Sequence, residues 1–155
     1  MVSIRKAKVK DLDLVSAMAV NLLKYHSQFD TYYRPAKNAK GAYHKLFRSA
    51  IFSRRKILLV AEIDSEIIGF VMALVRRKPP VFAIKDYGFI TDIFIVNEYR
   101  NQGIAGLFLQ ELFKWFKKNR IKNIELLAHV KNDIGQKFWS KYKFKDFLVS
   151  KRIKI

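Results

Sequence analysis

One short stretch of the chain combines two features that could do chemistry together. The first is a lone carboxylate inside an apolar run, Phe89-Ile90-Thr91-Asp92-Ile93-Phe94-Ile95. Burying a carboxylate is costly unless it is paired or has a task. Asp92 is therefore a structural partner of a nearby Lys or backbone N–H, or else a functional group that accepts a proton or binds a cation. The second feature follows directly: Arg100-Asn101-Gln102-Gly103-Ile104-Ala105-Gly106. A glycine between a strand and a helix lets the backbone turn tightly and approach a ligand. The first free N–H groups of the helix then point outward, backed by the positive end of its dipole, which suits a phosphate or pyrophosphate. Arg100 adds a full charge there, and Gly106 keeps the first turn slim.

Other chemistries lack their residues. Cys is absent, so disulfides, thiolate metal sites and Cys nucleophiles are excluded. The dinucleotide fingerprint and the phosphate loop ending in Gly-Lys-Ser/Thr are missing, as is the G-x-S-x-G nucleophile motif. His26, His44 and His129 are not at metal-ligand spacing, and no metal is expected. His129 reads as a proton relay or as a packing residue.

The elements that must position these groups follow from periodicity. Residues 3–7 form a short strand. Asp11 offers an N-cap to a helix carrying Leu12, Val15, Met18, Ala19, Leu22 and Leu23. Residues 28–38 are an aromatic loop, and a second helix spans about 39–52. Residues 56–63 and 66–76 read as a hairpin turning at Asp64-Ser65. Residues 87–96 form a strand apolar enough to be buried on both faces. The helix from Gly103 to about Asn119 has the stripe Leu107, Phe108, Leu112, Phe113 and Phe116. A strand at 124–130, a short helix at 133–142 and an extended segment at 144–155 complete the order βααβββαβαβ, a mixed α/β fold. The 155 residues fit one domain.

The motif Arg100-x-x-Gly103-x-Ala105 after Ile93-Phe94-Ile95-Val96 resembles the acetyl-CoA motif [Q/R]-x-x-G-x-[G/A] of the GCN5-related N-acetyltransferases. A second signature lies downstream: Asn132-x-x-Gly135-x-x-Phe138-Trp139-x-x-x-Lys143-Phe144. The resemblance covers residues 56–147 and implies an acetyl-CoA-dependent N-acetyltransferase of the same element order. It implies that backbone groups of Ile93, Phe94 and Ile95 pair with the pantetheine arm. Amides from Asn101 through Gln102, Gly103, Ile104 and Ala105 to Gly106 would hold the pyrophosphate. Asn132 would hydrogen-bond the cofactor near the thioester, and Phe138 would flank it or fill the core beneath it.

The family transfers acetyl by direct attack of an amine on the thioester, with both substrates bound. Asp92 is then the candidate base, or the group that binds the amine as a cation. Where many relatives carry a Tyr as acid, this chain has Trp139, whose indole N–H cannot give up its proton. Tyr142, about one turn on, is the replacement candidate. Tyr87 is another, and a thiolate leaving without an acid is a third. Lys143 replaces the family's Gly before the final Phe. The acceptor site is expected at the aromatic loop, where Tyr32 and Tyr33, with Tyr25, Phe29 and Arg34, hold an amine or close a hydrophobic lid.

Lys and Arg number 31 against 13 Asp and Glu, giving +18. Such a field repels free polyamines and attracts polyanions, so weak polyanion binding through the basic surface is expected. The acceptor is an amine on a small molecule, a lysine or a protein N-terminus. The alternative is a catalytically weak module of the same fold associated with nucleic acid or the ribosome. A homodimer is a further open alternative, since the family often forms dimers. No apolar run reaches the ~18 residues of a spanning helix, and the N-terminus lacks a signal-peptide core. No membrane insertion and a cytoplasmic location are therefore expected.

Overall fold

The computed structural model describes residues 1–155. Its elements are β1 (Ser3–Lys6), α1 (Leu12–Ser27), α2 (Ala39–Ile51), β2 (Lys56–Ile63), β3 (Glu66–Arg77), β4 (Asp86–Ile95), α3 (Ile104–Lys118), β5 (Ile124–Leu126) and α4 (Asp133–Lys141). The strands form one mixed sheet in the order β1-β2-β3-β4-β5. Neighbours from β1 to β4 are antiparallel, and β5 joins β4 parallel across α3.

Alternation along β2 and β3 divides the core into two layers. Leu58, Val60, Phe70 and Met72 meet α1 and α2 through Leu12, Val15 and Phe47. Leu59, Val71 and Ala73 meet α3 through Phe108, Leu112 and Phe116. Each fully buried side chain of this kind contributes roughly 1.5–3 kcal/mol.

Four expectations are corrected. The final strand does not form: residues 144–155 follow α4 without pairing to any strand, and Phe147, Leu148 and Val149 stay exposed. The expected strand at 124–130 stops at Leu126, with Leu127 and Val130 exposed. On α3, Ile104 and Leu109 join the buried face while Leu107 and Phe113 are turned partly outward. Asp11 does not cap α1 with its side chain. Its carboxylate instead takes Arg5 Nη1 at 2.7 Å and the Lys8 amide at 2.7 Å. Burial would raise its pKa, but these donors more than offset that and hold it below the usual carboxylate range. No helix is long and apolar enough to cross a membrane.

Candidate active site

The truncation of β5 leaves one edge of β4 open. β5 pairs with β4 only from Gly88 to Ile90, so Thr91 onward has no neighbour on that side. On the other side β4 stays paired with β3 to Ile95. The Val96 amide donates to Ile68 O at 2.9 Å. Alternation then turns the backbone groups of Ile93 and Ile95 toward the open edge, and those of Phe94 toward β3. Thr91 to Ile95 are only half-buried, which corrects the expectation of a strand covered on both faces.

A bulge at Thr91 decides where Asp92 points. Ala73 pairs with Ile90 and Met72 with Asp92, leaving Thr91 as the extra residue. Asp92 therefore lies opposite Met72, on the α1/α2 face, although Ile90 two residues earlier belongs to the α3 core. Asp92 makes no ion pair. Desolvation pushes its carboxyl above the usual range, and the Thr91 hydroxyl opposes this only in part. That hydroxyl also lies 3.2 Å from Met72 O. Tyr43 of α2 stands on the same face. Burial raises its phenol to about 12, and the Asp92 charge adds to the effect. Sequence reasoning missed Tyr43, although its spacing from Phe47 and Ala39 placed it on the inner stripe of α2.

Thr91→Val is expected to lower stability by about 1 kcal/mol, the worth of one hydrogen bond, read from a denaturant midpoint. It also removes what opposes the upward shift of Asp92. The acidic limb of any Asp92-dependent rate profile should therefore move to higher pH.

Beyond β4 the chain turns through a 3-10 segment, Asn97–Tyr99. Asn101 has φ 61° and Gly103 has φ 81°. These two left-handed residues turn successive amides to one side, the geometry of an anion-binding nest. The amides of Asn101, Gln102, Gly103, Ile104 and Ala105 have no acceptor in the protein. The Gly106 amide is different: it donates to Gly103 O at 2.9 Å. Gly106 serves another purpose, because a Cβ there would collide with the Tyr142 hydroxyl. Arg100 reaches back, with Nε 2.9 Å from Ile95 O and its guanidinium 5.8 Å from the Phe94 ring. Its Nη groups remain free. This unbroken series of unmatched donors beside an open strand edge fits a diphosphate carrying an extended amide arm.

The second signature spans α4 and the residues just before and after it. Asn132 Oδ1 caps α4 by accepting from the Gly135 amide at 3.0 Å. Its Nδ2 has no acceptor in the protein, and the Tyr25 hydroxyl lies 3.5 Å from Oδ1. Phe138 packs into the α3-side core, beside Tyr142 at 5.0 Å between ring centres. Trp139 meets Phe138 and Phe144 edge-on and acts as packing. The Tyr142 hydroxyl makes no hydrogen bond within the protein and lies against the first turn of α3. Tyr32 and Tyr33 stand on the loop between α1 and α2, exposed by 71% and 39%. They join Phe29 and His129 in one aromatic group, with Tyr33 6.1 Å and Phe29 6.0 Å from the His129 ring. No three His, Asp or Glu side chains gather closely enough to hold a metal ion.

A sheet opened between its parallel strands, with free amides where the opened strand runs into a helix, suits a ligand that carries phosphates and an extended arm. Residues 22–144 match the model of the Acetyltransferase (GNAT) family, and the chain belongs to that family. It is an acetyl-CoA-dependent acetyltransferase. An uncharacterized N-acetyltransferase of Archaeoglobus fulgidus is 28% identical over 137 residues, 88% of either chain. The L-amino acid N-acetyltransferase AaaT of Escherichia coli is 29% identical over 90 residues, 56% of this chain and 51% of that protein. The crystal structure of a predicted acetyltransferase with acetyl-CoA from Clostridium acetobutylicum superposes with a TM-score of 0.78 at 23% identity, covering 99% of this chain and 96% of that one.

Proposed function

We propose that the chain transfers acetyl from acetyl-CoA to a primary amine that enters from the α1/α2 face, where Asp92 stands. The observation that carries this reading is the set of five successive amides without acceptors, Asn101 to Ala105, following a strand whose edge is open beyond Ile90 and which bears Asp92, a carboxylate in no ion pair. When bound, acetyl-CoA supplies a thioester whose carbonyl carbon accepts the amine. Ile93 and Ile95 align the pantetheine arm as a neighbouring strand would. Asn101, Gln102, Gly103, Ile104 and Ala105 hold the pyrophosphate through their amides, with Arg100 adding charge. Asn132 Nδ2 is free to hydrogen-bond the arm.

Asp92 lies on the α1/α2 face of β4 opposite Met72, and the Tyr142 hydroxyl lies beside Gly106 on the α3 side. As the amine nitrogen bonds to the acetyl carbon, the nitrogen loses a proton to Asp92, directly or through water. The carbon–sulfur bond breaks, and the sulfur takes its proton from the Tyr142 hydroxyl. Tyr142→Phe is expected to lower kcat about tenfold or more while the Kd for acetyl-CoA stays unchanged. An unaltered kcat would mean that the thiolate leaves unassisted.

The test of the whole reading is calorimetric titration with acetyl-CoA and with CoA, followed by amine-dependent CoA release. Micromolar-range binding and release that requires an amine are expected. Failure to bind either ligand would overturn the reading.

A further inference from the structure

The hairpin between β3 and β4 ends in a loop whose tip carries no polar side chain. Six residues, Pro79-Pro80-Val81-Phe82-Ala83-Ile84, lie beyond the last paired residues of the ladder, Arg77 and Asp86. The loop has a fixed shape. The Lys78 amide donates to Lys85 O at 2.7 Å, and the Phe82 amide donates to Pro79 O at 3.1 Å. The two prolines fix their own φ. Val81, Phe82 and Ile84 are nevertheless exposed by 87%, 52% and 53%. An open groove of about 550 Å³ runs beside them, lined in part by Phe82, Ile84, Lys122 and Phe147. It joins the tip to the tail, where Phe147, Leu148 and Val149 are also exposed. An apolar patch of this kind marks a contact surface.

Charge stands behind the tip rather than on it. Arg55 and Arg77 share Asp86, and Lys78 pairs with Glu125. Lys85 and Lys122 are in no ion pair. The base of the loop is therefore positive beyond what its two carboxylates balance. Apolar groups outermost with cations behind them match an anionic bilayer, where acyl chains lie beneath charged headgroups. A nucleic acid needs the reverse, with cations outermost to meet phosphates. A second copy docked by two-fold symmetry would set the same positive charge against itself.

We infer that the β3–β4 loop docks the protein on an anionic phospholipid surface. Val81, Phe82 and Ile84 enter the boundary between headgroups and acyl chains, and Lys85 and Lys122 meet the headgroups. The contact uses no spanning helix. The loop precedes β4, whereas the free amides of Asn101 to Ala105 follow it, beyond the other end of a strand of 10 residues. The inference thus goes beyond the acetyl-transfer reading and does not rest on it.

The test mixes the full chain with vesicles of phosphatidylcholine, with and without phosphatidylserine, at physiological ionic strength, and reads binding by cosedimentation. The protein is expected on vesicles that contain phosphatidylserine and not on phosphatidylcholine alone. Val81→Ser, Phe82→Ser and Ile84→Ser combined should weaken that binding at least about tenfold. Lys85→Glu with Lys122→Glu should do so by a similar factor. The Kd for acetyl-CoA and the Tm should be unchanged in both, because every substituted side chain is exposed. Emission from a Phe82→Trp variant should shift to the blue on the vesicles, beyond any change from Trp115 and Trp139 in the wild type. If the serine variant melts lower, this shift decides. No binding to either vesicle, binding that the serine variant leaves intact, or no blue shift would each overturn the inference. So would a single-stranded RNA homopolymer bound through the tip, which would assign it to nucleic acid. A dimer broken by the serine variant would overturn it in favour of a second copy.

Discussion

Asp92→Asn is expected to lower kcat about 10²- to 10⁴-fold at saturating acetyl-CoA, the range for removal of a positioned base. The Kd for acetyl-CoA should be unchanged, because the donors proposed to hold it lie elsewhere, on β4 and in the turn leading into α3. The expected pH dependence has a definite sign. Desolvation raises the Asp92 pKa, so the carboxylate form gives way to the acid at a higher pH than for a free Asp. The wild-type rate should climb with pH through that raised value, and the Asn variant should lose this limb.

Stability moves the other way. Between the unfolded and folded pKa values the folded chain binds more protons than the unfolded one, so this group's contribution falls as pH rises through that window. At neutral pH, Asp92→Asn removes a partly buried, unpaired charge and should melt no lower than the wild type. Two other results would assign Asp92 differently. A raised acceptor KM with kcat intact would make it the cation-binding group. A lowered Tm with proportionate loss of activity would make it structural.

Gly103→Asp is expected to weaken acetyl-CoA binding by more than 100-fold. Nothing lies within 4 Å of the place a Cβ would occupy, so the side chain fits without a clash. The backbone is the first obstacle. At φ 81° an L residue is disfavoured by about 1–2 kcal/mol. The second is charge. A carboxylate about 5 Å from a phosphate is repelled by roughly 3 kcal/mol at an effective dielectric of about 20, which alone exceeds a hundredfold in Kd. Gly103→Asn separates the two, since Asn tolerates the left-handed region and carries no charge. Calorimetry should show most of the wild-type affinity in the Asn variant and none measurable in the Asp variant. Equal losses would place the effect in the backbone rather than in anion repulsion.

The strand β4, the turn after it and the helix α3 were legible in the sequence because they are local. A glycine at the junction, an apolar strand before it and a helical stripe after it need no distant contact to be recognised. The β2–β3 hairpin and the helix at Asn132 were legible for the same reason, each with its turn or cap close by. Burial of individual residues was less so. Leu107 and Phe113 fall near the edge of the α3 stripe, where neighbours on other elements decide exposure.

What the sequence by itself determined was the order of elements through α4, the glycine turn between β4 and α3, and the presence of a carboxylate in β4. Only the tertiary structure decided which way that carboxylate faces. Thr91 becomes a bulge through its register with β3, and nothing in its own neighbourhood marks it. Tertiary structure also cut β5 to three residues, which opened the β4 edge. It set the Tyr142 hydroxyl against Gly106 and brought Arg152 to Asp30 across 122 positions. Local sequence sets backbone preference within a few residues. Register, edge exposure and the meeting of distant side chains are fixed only when separate layers pack together.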